Sequence, residues 1–328
     1  MPSLMKKLVV LCIVLQVALS LKAQLEPLYT MYSANGFLFN PAVAGADGYT
    51  TIGLAARDDM VGFDNSPKTY VLSAQGRILR KNVKVSSSFL SSGKKAVKRS
   101  GRVGVGGYFF SDQNGPIKRV GGNFAYAYHI FMQNTQLSFG LRLSAFQFNI
   151  NPNELDFRDN TNEPFKNGAL EKPMIVPDVS FGSYLLTSTS YLGLSVTNLF
   201  QSRIPFGSES YNYKMVRNYF LMGGKRFNDE DIISYEPSIL LKGTEKLITQ
   251  ADFQMRFIYS HNYYLGLCFR TGTYLGFIFG ARLNKINIGY AFDYGFNSVK
   301  KYSYGAHEIN LALKFGDSAR RYKWLIRY

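Results

Sequence analysis

The chain has 328 residues, with 38 Lys and Arg against 22 Asp and Glu, a formal net charge of +16, and 23 Tyr and 26 Phe. Such a length allows two soluble domains or one large barrel, and such a charge suits nucleic acid, an anionic membrane surface or an acidic protein. Its two cysteines are Cys12 and Cys268, and the first lies in a leader, which excludes an internal disulfide in the remainder.

Residues 1-23 read as a secretory signal peptide: Lys6 and Lys7 form the charged region, Leu8 to Leu19 the apolar region, and Leu21-Lys22-Ala23 a cleavage site before Gln24. Gln16 interrupts the apolar run, which is shorter than the roughly 20 residues of a membrane-crossing helix. Leu11 stands before Cys12 where a lipid anchor needs a small residue. Losing Lys6, Lys7 and Lys22 leaves 35 basic residues against 22 acidic ones, a net charge of +13 over 328 − 23 = 305 residues. Export makes nucleic acid the least expected partner. Abundant tyrosine suits an interface apolar at one end and wet at the other.

Residues 24-49 are rich in aromatics and precede the first strand, and they are expected to plug a lumen. Fourteen alternating segments follow, near 50-57, 68-79, 103-111, 118-132, 135-149, 178-187, 189-197, 217-228, 232-242, 247-259, 262-270, 273-283, 286-294 and 304-315. In one, Ile286, Ile288, Tyr290, Phe292 and Tyr294 oppose Asn287, Gly289, Ala291 and Asp293. Elsewhere Leu275, Phe277, Phe279, Ala281 and Leu283 oppose Tyr274, Gly276, Ile278, Gly280 and Arg282, and Phe124, Tyr126, Tyr128 and Ile130 oppose Ala125, Ala127 and His129. In the last, Ile309, Leu311, Leu313 and Phe315 oppose Glu308, Asn310, Ala312 and Lys314. Segments of about 8 to 12 residues, at ~3.3 Å per residue and a tilt near 40°, span the ~25 Å apolar band of an outer-membrane barrel. Only closure satisfies β backbone in hydrocarbon, so the fold class predicted is all-β: a transmembrane antiparallel β-barrel of about 14 strands over 50-315, with a basic periplasmic tail at 316-328.

The connections agree with a periplasmic N-terminus. Joins after even-numbered strands are mostly tight, such as Gln133-Asn134 and Asn284-Lys285, and long ones mostly follow odd strands, at 58-67, 150-177, 198-216 and 295-303. Thr271-Gly272 is short on the outer side, and 80-102 is long on the periplasmic side. Nine basic residues and no acid lie from Arg77 to Arg102: Arg77, Arg80, Lys81, Lys84, Lys94, Lys95, Lys98, Arg99 and Arg102. The tail carries Arg320, Arg321, Lys323 and Arg327 around Trp324. Lys94, Lys95, Lys98, Arg99, Arg320, Arg321, Lys323 and Trp324 are expected to dock an acidic periplasmic partner, with a merely solvated loop as the alternative.

Catalysis has few candidates. The histidines are His129, His261 and His307; His129 is expected in the lumen, His261 in a tight turn, and His307 at the start of the last strand. Ser303 or Ser111 with His307 would make a phospholipase-like pair, but no local motif supports it. The histidines are too scattered for a metal site, and "GRVGVGG" lacks the spacing of a phosphate loop. Gly104, Gly106 and Gly107 are expected to let a strand bend. Lumen charges at Arg256, Arg270, Arg282, Asp252, Asp293, Glu308 and Lys314 permit a pore in principle. The sequence reads as no enzyme, with no cofactor.

"YTMYSANGFLFNPAVAGADG" followed by "ARDDMVGFDNSPKTYVLSAQG" resembles the opening of the PorP/SprF family of Bacteroidetes outer-membrane proteins, which reads "FSQYMFNPLLINPAYAG" and then R-x-x-W-V-G-F-x-G-A-P-x-T. Matching positions are Tyr32, Asn40, Pro41, Ala42, Ala44, Gly45, Arg57, Val61, Gly62, Phe63, Pro67 and Thr69. "GAHEINLALKF" sets His307 and Glu308 where the family has S-H-E-I; Met60 replaces the usual Trp, Asn65-Ser66 replaces Gly-Ala, and Ala306 replaces Ser. The resemblance implies a barrel of the type IX secretion and gliding machinery. It implies partners too: a peptidoglycan-binding periplasmic component, or the C-terminal domain of a secreted adhesin held at the cell surface. Under it, Asn40-Pro41 would stiffen the plug, and Gly62-Phe63 would form a loop packed at the barrel mouth. An independent channel for small or apolar solutes is the other reading.

Overall fold

The computed structural model describes residues 29–63, 65–78, 102–151, 174–205, 212–229, 231–245, 248–272, 274–296 and 303–316. Its strands are β1 (Thr50–Asp58), β2 (Lys68–Ile78), β3 (Val103–Asn114), β4 (Ile117–Phe131), β5 (Thr135–Ile150), β6 (Met174–Thr187), β7 (Ser190–Thr197), β8 (Arg203–Pro205), β9 (Asn212–Lys214), β10 (Asn218–Lys225), β11 (Ile233–Thr244), β12 (Ile248–Tyr259), β13 (Tyr263–Arg270), β14 (Tyr274–Leu283), β15 (Ile286–Gly295) and β16 (Ala306–Phe315). All but β8 and β9 close into one antiparallel barrel, each strand beside its sequence neighbour, with β10 against β7 and β1 against β16. Strands β8 and β9 form a small hairpin inside the long 198-217 connection, which no periodicity announces.

The alternation does what its chemistry requires. In β15, Ile286, Ile288, Tyr290 and Tyr294 are exposed on the outer wall, whereas Gly289, Ala291 and Asp293 are buried inside. Strands β4, β13, β14 and β16 split their faces in the same sense. Exposed Leu, Phe, Ile and Tyr around the whole wall would be untenable in water but suit lipid. No helix among the described residues is long and apolar enough to cross a membrane.

Two strands outrun their predicted limits by three residues or more, β3 to Asn114 and β6 back to Met174. Strand β5 explains why. Up to Ala145 its outer face is Leu137, Phe139, Leu141 and Leu143; beyond it the outer face is Gln147 and Asn149, and Phe146, Phe148 and Ile150 turn inward. These three cluster with Val176 and with Met215 from the long connection. Polarity inverts because this part of the wall stands above lipid, with water outside. The extra length also makes the β3–β4 join short, at Gly115 and Pro116, so the long-loop end carries more tight turns than expected.

Residues Tyr29 to Tyr49 run inside the wall. They include a helical turn, Gly36–Phe39, and a 3-10 turn, Pro41–Val43. The second begins there because the Asn40 side chain accepts a hydrogen bond from the Ala42 N–H at 2.9 Å and proline pre-sets the first position. Its seat is lined with glycine. A Cβ on Gly104, Gly140 or Gly182 would overlap the Ala44 carbonyl, the Ala42 nitrogen or the Asn40 Oδ1. Two glycines of β3 serve close approach to the inner segment: Gly104 meets Ala44, and a Cβ on Gly106 would come within 2.8 Å of the Phe37 ring.

The inward faces are also less polar than expected. Tyr29, Met31, Tyr32 and Phe39 form an apolar core with inward Val71, Phe220, Met222, Leu240, Ile258 and Ile278. This core lies where a water-filled pore would have its lumen.

Candidate functional site

The inner segment can be followed by its partners from one end of the barrel to the other. Near the Asp58 end, Arg57 of β1 reaches Asp293 of β15 at 2.7 Å and Glu308 of β16 at 3.1 Å, with Asp59 at 3.7 Å. Thr30 sits in the middle: its hydroxyl accepts from Arg57 at 3.1 Å and donates to Asp293 at 2.5 Å. Glu308 accepts the backbone N–H groups of Thr30 and Met31 at 2.6 and 3.2 Å, so both its oxygens hold the segment. Arg270, paired with Asp252 at 3.0 Å, donates to the Tyr29 carbonyl. Such an assembly is stable only because every charge has a partner, since isolated burial of one would cost several kcal/mol.

Further along, the Tyr32 hydroxyl meets Ser238 at 3.0 Å, and Asn310 of β16 donates to Asn35 at 2.5 Å. Burial holds the phenols of Tyr29 and Tyr32 well above the ordinary tyrosine value, so both stay neutral. Arg142 donates to the carbonyls of Phe37 and Leu38 and stands over the Phe37 and Tyr108 rings. Asn40 donates to the carbonyls of Ser183 at 2.9 Å and Leu194 at 3.2 Å, and Ser195 donates to the Phe39 carbonyl.

At the Thr50 end, Arg77 donates to the carbonyls of Gly45 and Ala46, and Gln75 accepts the Gly45 N–H. His129 bonds Ser138 through Nδ1 at 2.8 Å and the Ala44 carbonyl through Nε2 at 3.1 Å. Lys314 approaches Asp47 at 3.5 Å. From Glu308 to Lys314 the contacts cover seven residues of β16, roughly 20 Å along the strand.

Most family-signature residues converge here. Tyr32, Asn40, Pro41, Ala42, Gly45, Arg57 and Glu308 all belong to the inner segment or its grip. Others do not. Phe63 is 40% exposed instead of being packed into a mouth. Its loop is held by Val61, which exchanges backbone hydrogen bonds with Gly305 and Tyr304, while the Pro67 carbonyl accepts from Asp59 and Gly62 takes a positive φ of 106°. His307 faces outward, its Nδ1 2.7 Å from the Tyr290 hydroxyl and its ring beside Phe292. Ser303 bonds within its own loop to Gly305. The one close Ser–His pair described, Ser138–His129, is sealed under Ala44.

Arg77, counted with the basic loop, belongs instead to the lumen. Lys94, Lys95, Lys98, Arg99, Arg320, Arg321, Lys323 and Trp324 lie outside the described residues. Sequence reasoning passed over Thr30, Met31, Arg142, Gln136 and Ser138. A signal did exist for the Arg57 grip: one arginine on an inner face otherwise built of Thr51, Gly53 and Ala55, facing carboxylates on the last two strands.

No curated protein matches the chain. Among solved structures, the toluene transporter TbuX of Ralstonia pickettii is 11% identical, with 86% of this chain and 93% of that one covered and a TM-score of 0.45. The CymD monoaromatic hydrocarbon channel is 10% identical over the same shares, with a TM-score of 0.47. CdiB from Acinetobacter baumannii is 10% identical, covering 81% of this chain and 60% of that one, with a TM-score of 0.38. At these values the likeness lends no weight to any function. The family described as "Type IX secretion system membrane protein PorP/SprF" matches residues 21–313, nearly the whole length. The chain belongs to the PorP/SprF family of type IX secretion system membrane proteins.

Proposed function

We propose that this barrel is a non-enzymatic binding component of the type IX secretion and gliding machinery, seated in the outer membrane and working through its surfaces rather than its lumen. The observation that carries this reading is the occupied interior: inward side chains of β1, β2, β5, β12, β15 and β16 bond residues Thr30 to Asp47. Residues 29–49 therefore act as a plug. Short turns face the periplasm in such barrels, which sets the Thr50 end there and the Asp58 end outside. The signal peptide would be cleaved near Ala23. The basic 80-102 and 316-328 stretches would then meet periplasmic machinery, such as a peptidoglycan-associated protein. The opposite end would hold the C-terminal domain of a secreted adhesin.

Deleting residues 317–328 tests the periplasmic half. Affinity purification of the intact chain in mild detergent should carry a periplasmic protein that the shortened chain loses. Equal recovery by both would remove the tail from the interface. Steady ion conductance of the intact chain in planar bilayers would overturn the plug and favour a solute channel.

A further inference from the structure

All three strands at the barrel's closure hold the inner segment, and β16 does so over most of its length, from Glu308 to Lys314. On β16, Glu308 takes the Thr30 and Met31 amides, Asn310 donates to Asn35, and Lys314 approaches Asp47 and stands over the Tyr49 ring. On β1, Arg57 reaches Thr30 and is the register partner of Glu308. On β2, Gln75 and Arg77 hold Gly45 and Ala46. Strands β13 and β14, by contrast, offer the segment one polar contact among those described, Arg270 to the Tyr29 carbonyl. Since Tyr49 runs directly into Thr50, the segment is an extension of β1 that doubles back beside its last partner. Strand β16 is gripped twice, by the β1 backbone and by this extension.

We propose that residues 29–49 and β1 together form the receptor for the last strand, so that the segment must be seated before the β1–β16 seam can shut. A chain still open at the seam offers β16 an edge of backbone donors and acceptors, as any barrel does. Here it also offers a row of partners at fixed heights: the Thr30 and Met31 amides, the Asn35 side-chain oxygen and the Asp47 carboxylate. Only the correct register satisfies all of them. A slip by one residue would turn Glu308 and Asn310 to the outer face.

The test is refolding of the full chain from urea into detergent micelles, with Cys12 and Cys268 replaced by serine and cysteine pairs placed on the outer wall. Ala56→Cys with Ile309→Cys reports the seam, since these are register partners. Phe257→Cys with Leu265→Cys reports β12–β13, remote from it. The doubly substituted segment Asn35→Ala, Asp47→Ala leaves every strand residue in place. It should slow oxidative cross-linking at the seam by about tenfold while the β12–β13 rate holds. Unchanged seam kinetics, or equal slowing at both places, would overturn the proposal. Should that variant not fold at all, Asp47→Asn alone repeats the comparison, with a smaller delay confined to the seam expected; no such delay would overturn the proposal equally.

Discussion

Arg57 is the residue on which most depends, because it neutralises Asp293 and Glu308 where water does not reach. Arg57→Met should cost about 3–5 kcal/mol, since it removes one partner and leaves the carboxylates buried. Urea titration followed by the loss of heat-resistant electrophoretic mobility measures this, and an unchanged midpoint would refute the grip. Gly140 makes a different demand, because any side chain there enters the Pro41–Ala42 backbone. Gly140→Val should cost about 1–3 kcal/mol through overpacking and expose residues 29–49 to protease. Single residues were only partly legible beforehand. Family resemblance singled out Arg57 and Asn40, but Thr30 acts through its backbone amide as much as its hydroxyl, and no residue pattern encodes an amide.

Strands were legible wherever lipid enforces a period of two. Membrane-level alternation in β4, β14, β15 and β16 placed each face correctly, because a single slip would put charge into hydrocarbon. Legibility failed at Asp112 to Asn114 and Met174 to Pro177, which rise above that level and owe lipid nothing. Apolar residues inside, such as Phe220 and Met222, escaped for another reason: they answer to Tyr32 and Phe39, distant in sequence. The inversion in β5 makes its own prediction. Leu141→Arg should cost about 2–4 kcal/mol in folding equilibria with lipid vesicles, whereas Gln147→Arg should cost about 0–1 kcal/mol. Equal penalties would mean that the lipid boundary does not cross β5 near Ala145.

For the whole molecule, the central prediction concerns the interior. Removing residues 24–49 from an inserted barrel, by a protease site placed at Tyr49, should convert a silent protein into a conducting one, read as current steps in planar bilayers. Silence after confirmed release of the fragment would show that other groups obstruct the lumen. The strand count and the closed topology followed from pattern and parity alone. That residues 24-49 would lie in the lumen was expected from their aromatics and their place before the first strand; which wall residues hold them was not, since those contacts join Tyr29–Tyr49 to strands up to 278 positions away.

Strands β4 and β5, with 15 and 16 residues, lie diametrically across the ring from β13 and β14, with 8 and 10. The rim is consequently oblique, a parapet on one flank and a low sill on the other. If the Asp58 end receives a secreted domain as proposed, that domain would be screened on the tall flank and admitted across the sill, and its orientation would be limited before any side chain is recognised.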